Sequence, residues 1–214
     1  MKDLSKNRGT LRNEILYATT NDAKLKTMQA ILGGSYEVIS LKDVGIEFQT
    51  EEDGKNPKEN AFKKARFCYE KTGKPSFAMD FGFFIEGLSD EEQPGPSVKR
   101  VIPISKKREP TDEEVLEFYK NLVEKLGGKV NAHWLRALVY ISKDGEFVHE
   151  IKIPKILVSR SSEKRKKGFP LTSLQIDQLT GKYECELTDE ERAESHKIED
   201  GSIRSFIQEH MGCM

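Results

Sequence analysis

The sequence predicts an α/β fold, a mixed β-sheet with helices on both faces, and three observations carry that expectation. The chain opens on a short apolar run, residues 14–19, followed by a polar turn and a segment with helical spacing. Residues 76–85 form another apolar run of strand length, and two later strand-like runs meet at Asp144-Gly145, a strong hairpin signal. Strand–turn–helix units favour parallel pairing and a hairpin is antiparallel, so the sheet they share must be mixed.

The elements follow in order. After residues 14–19, Thr20, Asn21 and Asp22 signal a helix start, and Leu25, Met28, Ile31 and Leu32 recur on one face until Gly33-Gly34 ends the segment. Residues 36–41 read as a second strand, and the acidic, Gly- and Pro-bearing stretch 50–57 as a loop. Asn56-Pro57 opens a helix over 58–71, with Ala61, Ala65, Cys68 and Tyr69 on its inner face. The third strand, 76–85, leads to a turn-rich acidic loop at 89–96. Thr111 is an N-cap followed by Asp112, Glu113 and Glu114, and Val115, Phe118, Tyr119, Leu122 and Leu126 carry a third helix to Gly127-Gly128. Strands over 132–142 and 146–158, a basic loop over 161–167 and a last helix from near Ile198 to His210 complete the chain. No internal repeat or low-complexity linker divides the 214 residues, so one α/β unit is expected, with a short flexible N-terminus over about residues 1–12.

Composition narrows the function classes. With 35 basic and 36 acidic residues the net charge is -1, so nothing at the whole-chain level points to a polyanion or a membrane surface. The run Lys164-Arg165-Lys166-Lys167 lacks interleaved aromatics and reads as a solvated loop, which leaves a nucleic-acid partner unsupported. Cys68, Cys185 and Cys213 are odd in number and far apart, which argues against a disulfide framework and for a cytoplasmic home. No apolar run approaches the ~20 residues that a membrane span needs.

Two groups of residues carry candidate chemistry. Thr19-Thr20-Asn21-Asp22-Ala23-Lys24 places a hydroxyl, an amide, backbone N–H groups and a lysine at a helix start, a combination suited to phosphate, although ordinary capping also accounts for the threonines and the asparagine. Glu59 opens the second helix and Asp80 interrupts an apolar strand. Two carboxylates converging beside a phosphate site would suit Mg2+, whereas singly each suits a helix-dipole or turn role.

Taken in order along the chain, these and later segments resemble the inosine triphosphate pyrophosphatase family, the Ham1-like nucleotide pyrophosphatases. Its T-G-N-x-x-K motif is matched by Thr19 to Lys24, and its E-N-A-x-x-K-A motif by Glu59-Asn60-Ala61-Phe62-Lys63-Lys64-Ala65. D-D-S-G-L resembles Met79-Asp80-Phe81-Gly82-Phe83, and P-G-x-x-S/K-R resembles Pro94-Gly95-Pro96-Ser97-Val98-Lys99-Arg100. E-L-x-x-E-E-K with a following S-H-R resembles Glu186 to Arg192 with Ser195-His196-Lys197.

The resemblance implies an elongated mixed sheet with two lobes around a nucleotide cleft, a homodimer, and Mg2+-dependent hydrolysis, with Mn2+ as the alternative ion. The substrate would be a nucleoside triphosphate such as ITP, dITP or XTP, cut to monophosphate and pyrophosphate. Glu59 and Asp80 would hold the metal, and Asp80 and Lys24 would be catalytic. Thr19, Thr20, Asn21 and Lys24 would bind phosphate, and Arg192, Ser195, His196, Lys197, Phe81 and Gly82 would contact the nucleotide.

This chain also departs from the pattern. Met79 replaces an acid, Phe81 a serine, Thr20 a glycine and Lys197 an arginine. The family's G-F-G-Y-D-P-I-F loop aligns with Gly168-Phe169-Pro170-Leu171-Thr172-Ser173-Leu174-Gln175, so the base-stacking aromatic and the aspartate are expected to be missing. These departures leave two alternatives: altered base specificity, or a non-catalytic nucleotide-binding or regulatory protein.

Overall fold

The computed structural model describes residues 13–47, 53–99 and 101–211. The N-terminal stretch expected to be flexible, and Arg100 of the P-G-x-x-S/K-R segment, lie outside the described residues. Ten elements position the site: β1 (Asn13–Tyr17), α1 (Asp22–Leu32), β2 (Tyr36–Ser40), α2 (Pro57–Thr72), β3 (Ser76–Ile85), α3 (Asp112–Lys125), β4 (Lys129–Ser142), β5 (Gly145–Val158), β6 (Gln175–Ile176) and α4 (Asp189–Met211). The strands form one mixed sheet in the order β2-β1-β3-β4-β5-β6. β1 is parallel to β2 and β3, and the pairs from β3 through β6 are antiparallel.

Local chemistry sets the helix starts. The Asn21 side chain accepts from the N–H groups of Ala23 and Lys24 at 2.9 and 3.2 Å, and Asn56 caps α2 with Pro57 in its first turn. α2 ends where Gly73 turns left-handed at φ 66, a conformation that suits glycine.

Burial then fixes the layers. Met28, Ile31 and Leu32 of α1 pack with Ile203, Phe206 and Ile207 of α4 on the face of the sheet that carries Tyr17, Phe77 and Met79. Ala61, Ala65 and Cys68 of α2 pack on the opposite face against Leu16, Ala78 and Val139. A third core lies where α3 places Val115, Tyr119 and Val123 against Phe83, Ile85 and Leu157. The long strands β3, β4 and β5 feed separate cores at their two ends, which gives the sheet its elongated form.

The two crossovers, β1–α1–β2 and β2–α2–β3, lead to opposite sides of β1, and their helices cover opposite faces. Pairing of β1 with β3 stops at Tyr17 opposite Phe77, with Ala18 N–H donating to Phe77 O at 2.8 Å. Beyond that point β1 turns away while β3 continues, which opens a crevice at a topological switch point, where open α/β sheets bind ligands.

One boundary differs from expectation: α4 begins at Asp189, well before Ile198. Thr188 N–H donates to Glu191 Oε2 at 3.0 Å and Glu191 N–H to Thr188 Oγ1 at 3.2 Å, a reciprocal cap that starts the helix despite its polar first turns. No helix among the described residues is long and apolar enough to cross a membrane.

Candidate active site

A cavity of about 470 Å³ opens on the α1 side of the sheet. Alternation along each strand puts every second side chain on this face, so its floor is laid strand by strand: Met79 and Phe81 of β3, Trp134 and Arg136 of β4, Ile153 and Lys155 of β5, and Gln175 of β6. Lys24 of α1 and His196 of α4 form part of the walls, and Phe169 stands at the margin.

Phe81 pairs directly with Arg136 across the β3–β4 ladder. Lys24 Nζ lies 5.5 Å and the Arg136 guanidinium 5.4 Å from its ring centroid, so two cations share one aromatic ring at the cavity floor. Arg136 also pairs with Glu199 at 3.2 Å, and burial pushes the Glu199 carboxyl up, against the opposing pull of the Arg136 charge. Deeper in, Lys155 pairs with Glu184, whose second oxygen lies 3.6 Å from Arg192.

The expected acids sit elsewhere. Asp80 lies within β3, which continues to Ile85 with Asp80 opposite Ala137, just past the point where pairing with β1 ends. Its side chain alternates away from Met79 and Phe81, towards α2, where Lys64 Nζ stands 3.5 Å from Oδ1 with both side chains buried. Glu59 is exposed, and its carboxylate accepts from Lys55 N–H and Asn56 Nδ2, each at 2.9 Å, as a third-position acid capping α2.

Every fixed letter of E-N-A-x-x-K-A has a structural cause. Glu59 caps. Asn60 is buried and accepts from Gly54 N–H at 2.8 Å, pinning the preceding loop. Ala61 and Ala65 let α2 lie close on the sheet, and Lys64 meets Asp80.

The remaining predicted residues divide between the cavity and its surroundings. Lys24, Phe81 and His196 line it. Thr19 Oγ1 accepts from Asn21 N–H at 3.2 Å, Thr20 is exposed and Asn21 is committed to its cap, so this turn presents Lys24 as its cavity-facing group. Gly82 lies on the α2 side, where an added Cβ would stand 2.6 Å from Pro57, so packing rather than ligand contact excludes a side chain. Arg192 supports Glu184, also donating to its backbone oxygen at 3.0 Å, and Ser195 is half-buried beside it on α4. Lys197 is exposed and pairs with Glu194 at 3.3 Å, on the helix face away from His196. Burial, followed by the Arg136 charge, holds the His196 imidazole below its ordinary value.

The 168–175 loop keeps one aromatic, Phe169, which aligns with the phenylalanine of the family's G-F-G. It is 58% exposed, with Lys166 Nζ 5.1 Å from its ring, and it borders the cavity. Arg136, Lys155, Glu184, Glu199 and Gln175 were not singled out from sequence. Arg136 and Lys155 leave a signal there, as single cations at inward positions of otherwise apolar alternating strands.

Among the described residues no group of three or more His, Cys, Asp or Glu side chains could hold a metal. Mg2+ needs only one or two carboxylates where phosphates supply the other oxygens. Exposed Glu59 fits that donor chemistry, and Asp80 fits it by exchanging Lys64 for the ion.

The model of the Ham1 family matches residues 15–197. The dITP/XTP pyrophosphatase of Campylobacter jejuni is 29% identical over 202 residues, covering 91% of this chain and 96% of that protein. That of Thermoanaerobacter sp. is 28% identical over 188 residues, 87% and 91% of the two chains. The Haemophilus influenzae dITP/XTP pyrophosphatase reaches 40% identity over a shorter stretch of 80 residues, 37% of this chain and 40% of that protein. Among solved structures, Ham1 proteins of Staphylococcus aureus and Coxiella burnetii each superpose with a TM-score of 0.73 over 92% of this chain and 100% and 99% of theirs, at 22% and 23% identity. The chain belongs to the Ham1 family.

Proposed function

We propose that the protein hydrolyses nucleoside triphosphates of the ITP, dITP and XTP type to the monophosphate and pyrophosphate. One observation carries this reading: a single cavity joins Lys24, at the start of α1, to Phe169 and Gln175 beyond β5. The floor crosses from β3 to β6, three strand spacings or about 14 Å, a span suited to a nucleotide with its phosphates at one end and its base at the other. The names of the relatives, dITP/XTP pyrophosphatases, support the same substrate class.

Lys24 and the α1 start take the phosphate end, where an ammonium neutralises charge that develops on departing pyrophosphate. Asp80, whose side chain lies on the α2 side of β3 against Lys64, would reach the phosphate end through the switch-point crevice rather than from the cavity floor, and would there orient the attacking water and accept its proton once Lys64 has given way. Water oxygen bonds to the α-phosphorus, the bond to the bridging oxygen breaks, and that oxygen leaves with pyrophosphate. Mg2+, or Mn2+ in its place, would be held by Glu59 and Asp80 and would supply positive charge to the phosphate oxygens. Neutral His196 and the Phe169 ring border the base end. A homodimer in the cytoplasm belongs to the same reading, and sizing chromatography with light scattering tests the assembly.

The test is a panel of ITP, dITP, XTP, GTP and ATP, with Mg2+ and with chelator. Equal amounts of monophosphate and pyrophosphate are expected, with the inosine and xanthosine nucleotides ahead and chelator abolishing turnover. Release of inorganic phosphate alone, or silence across the panel, would sink the reading. Met79 and Phe81, which put apolar side chains where the family pattern has an acid and a serine, favour a second reading: nucleotide binding without turnover. Affinity for ITP with no pyrophosphate release would establish that alternative.

A further inference from the structure

Gln175 is 3% exposed, yet it lines the cavity, and its buried Nε2 has no hydrogen-bond partner among the described residues. Its other end is fixed: Trp134 Nε1 donates to Gln175 Oε1 at 3.3 Å. An indole N–H can only donate, so this contact fixes which end of the amide is oxygen and leaves the NH2 group as the free end. Backbone pairing with Leu157 of β5 anchors the residue, and Trp134 packs on Phe83 with ring centroids 4.6 Å apart, so neither side chain is loosely held. A buried, oriented, unanswered donor in a binding cavity is costly unless a ligand acceptor completes it.

Position decides which part of a ligand that is. Gln175 lies at the β6 end of the floor, farthest across the sheet from the Lys24 end, and beside the loop that carries Phe169. We propose that Gln175, oriented by Trp134, is a specificity-determining residue whose amide N–H donates to the exocyclic oxygen of a 6-oxopurine and disfavours a 6-aminopurine. The inference rests on the nucleotide reading above and deepens it. Hypoxanthine, xanthine and guanine all present an acceptor at that carbon, whereas adenine presents an amino donor, which would leave two donors facing each other. Gln175 therefore separates ITP from ATP and leaves ITP and GTP to other groups.

The experiment compares kcat/KM for ITP and ATP in the wild type, Gln175→Leu, Gln175→Glu and Trp134→Phe. Loss of one buried donor predicts that Gln175→Leu lowers the ITP-to-ATP ratio by about 10- to 100-fold. Gln175→Glu, which replaces the donor by an acceptor, lowers it further. Trp134→Phe keeps a ring but removes the N–H that orients the amide, and lowers the ratio by a smaller factor. A purely structural role would reduce both substrates alike, and an unchanged ratio in Gln175→Leu and Trp134→Phe overturns the proposal. If the wild type turns over no triphosphate, the function reading fails and the question passes to calorimetric binding of IMP and AMP. Preference for IMP that Gln175→Leu abolishes supports the donor role, and equal affinities in the wild type overturn it.

Discussion

Lys64 Nζ stands 3.5 Å from Asp80 Oδ1, and both side chains are buried between α2 and β3. Removing one partner of a buried pair leaves an uncompensated charge, worth roughly 3–5 kcal/mol, while replacing both with apolar groups is often neutral. Lys64→Met is therefore expected to destabilise the fold strongly, and Lys64→Met with Asp80→Leu to recover most of the loss without recovering pyrophosphate release. Denaturant unfolding and the pyrophosphate assay separate the two effects. If the double variant is as unstable as the single one, the ion pair is not the source of the loss.

Lys24 reaches the cavity from the first turn of α1 and is only partly buried, so it contributes little to the core. Lys24→Met is expected to lower kcat/KM by about 10²-fold, the scale for losing one group that stabilises transition-state charge, while unfolding free energy changes by less than ~0.5 kcal/mol. Equal losses in stability and activity would instead make it a packing residue.

Thr111-Asp112-Glu113-Glu114 and Thr188-Asp189-Glu190-Glu191 are the same four letters, and each forms a reciprocal cap at a helix start. Thr111→Ala and Thr188→Ala should each cost about 1 kcal/mol. Their effects on catalysis differ in degree, because α4 carries Arg192 and His196 to the site, whereas α3 supports the far core and reaches the site through Asp112, whose Oδ2 accepts from Gly168 N–H at 2.6 Å beside Phe169. Thr188→Ala is expected to raise KM more than Thr111→Ala, and a KM that rises equally in both variants would remove the special link between the α4 cap and the site.

That repeat also shows what was legible in the sequence and what was not. The Thr111 cap announces its helix because Val115, Tyr119 and Val123 follow at helical spacing. The Thr188 cap does not, because the first turns of α4 spend their inward positions on Arg192, Ser195 and His196, polar groups that serve a buried network rather than a core. Lys64 stood inside a recognised motif without a role, since the register of α2 on β3 that brings it to Asp80 is a tertiary fact. Gln175 was hidden for the same reason: its importance lies in a contact with Trp134, which only the folded β4, β5 and β6 bring together. The first turn, the α2 motif and the mixed sheet were readable because strand alternation, caps and glycine stops act locally.

His196 gives the fold a pH dependence whose sign follows from its environment. Burial, with the Arg136 charge second, lowers its value from 6.5, so as pH falls the unfolded chain takes up this proton before the folded chain does. Stability contributed by neutral His196 is thus fully present above about pH 6.5, declines as pH drops through that value and levels off below the lowered folded value. Glu199 works in the opposite sense, because its raised carboxyl holds a proton that the unfolded chain has lost as pH rises above 4.5. A difference curve isolates the histidine: unfolding free energy of wild type minus that of His196→Gln, followed from about pH 8 to about pH 4. It is expected to be flat at the alkaline end and to fall below about pH 6.5. A difference that stays flat throughout would mean that the imidazole titrates alike in the folded and unfolded chains, and that its place against Arg136 in the cavity wall is wrong.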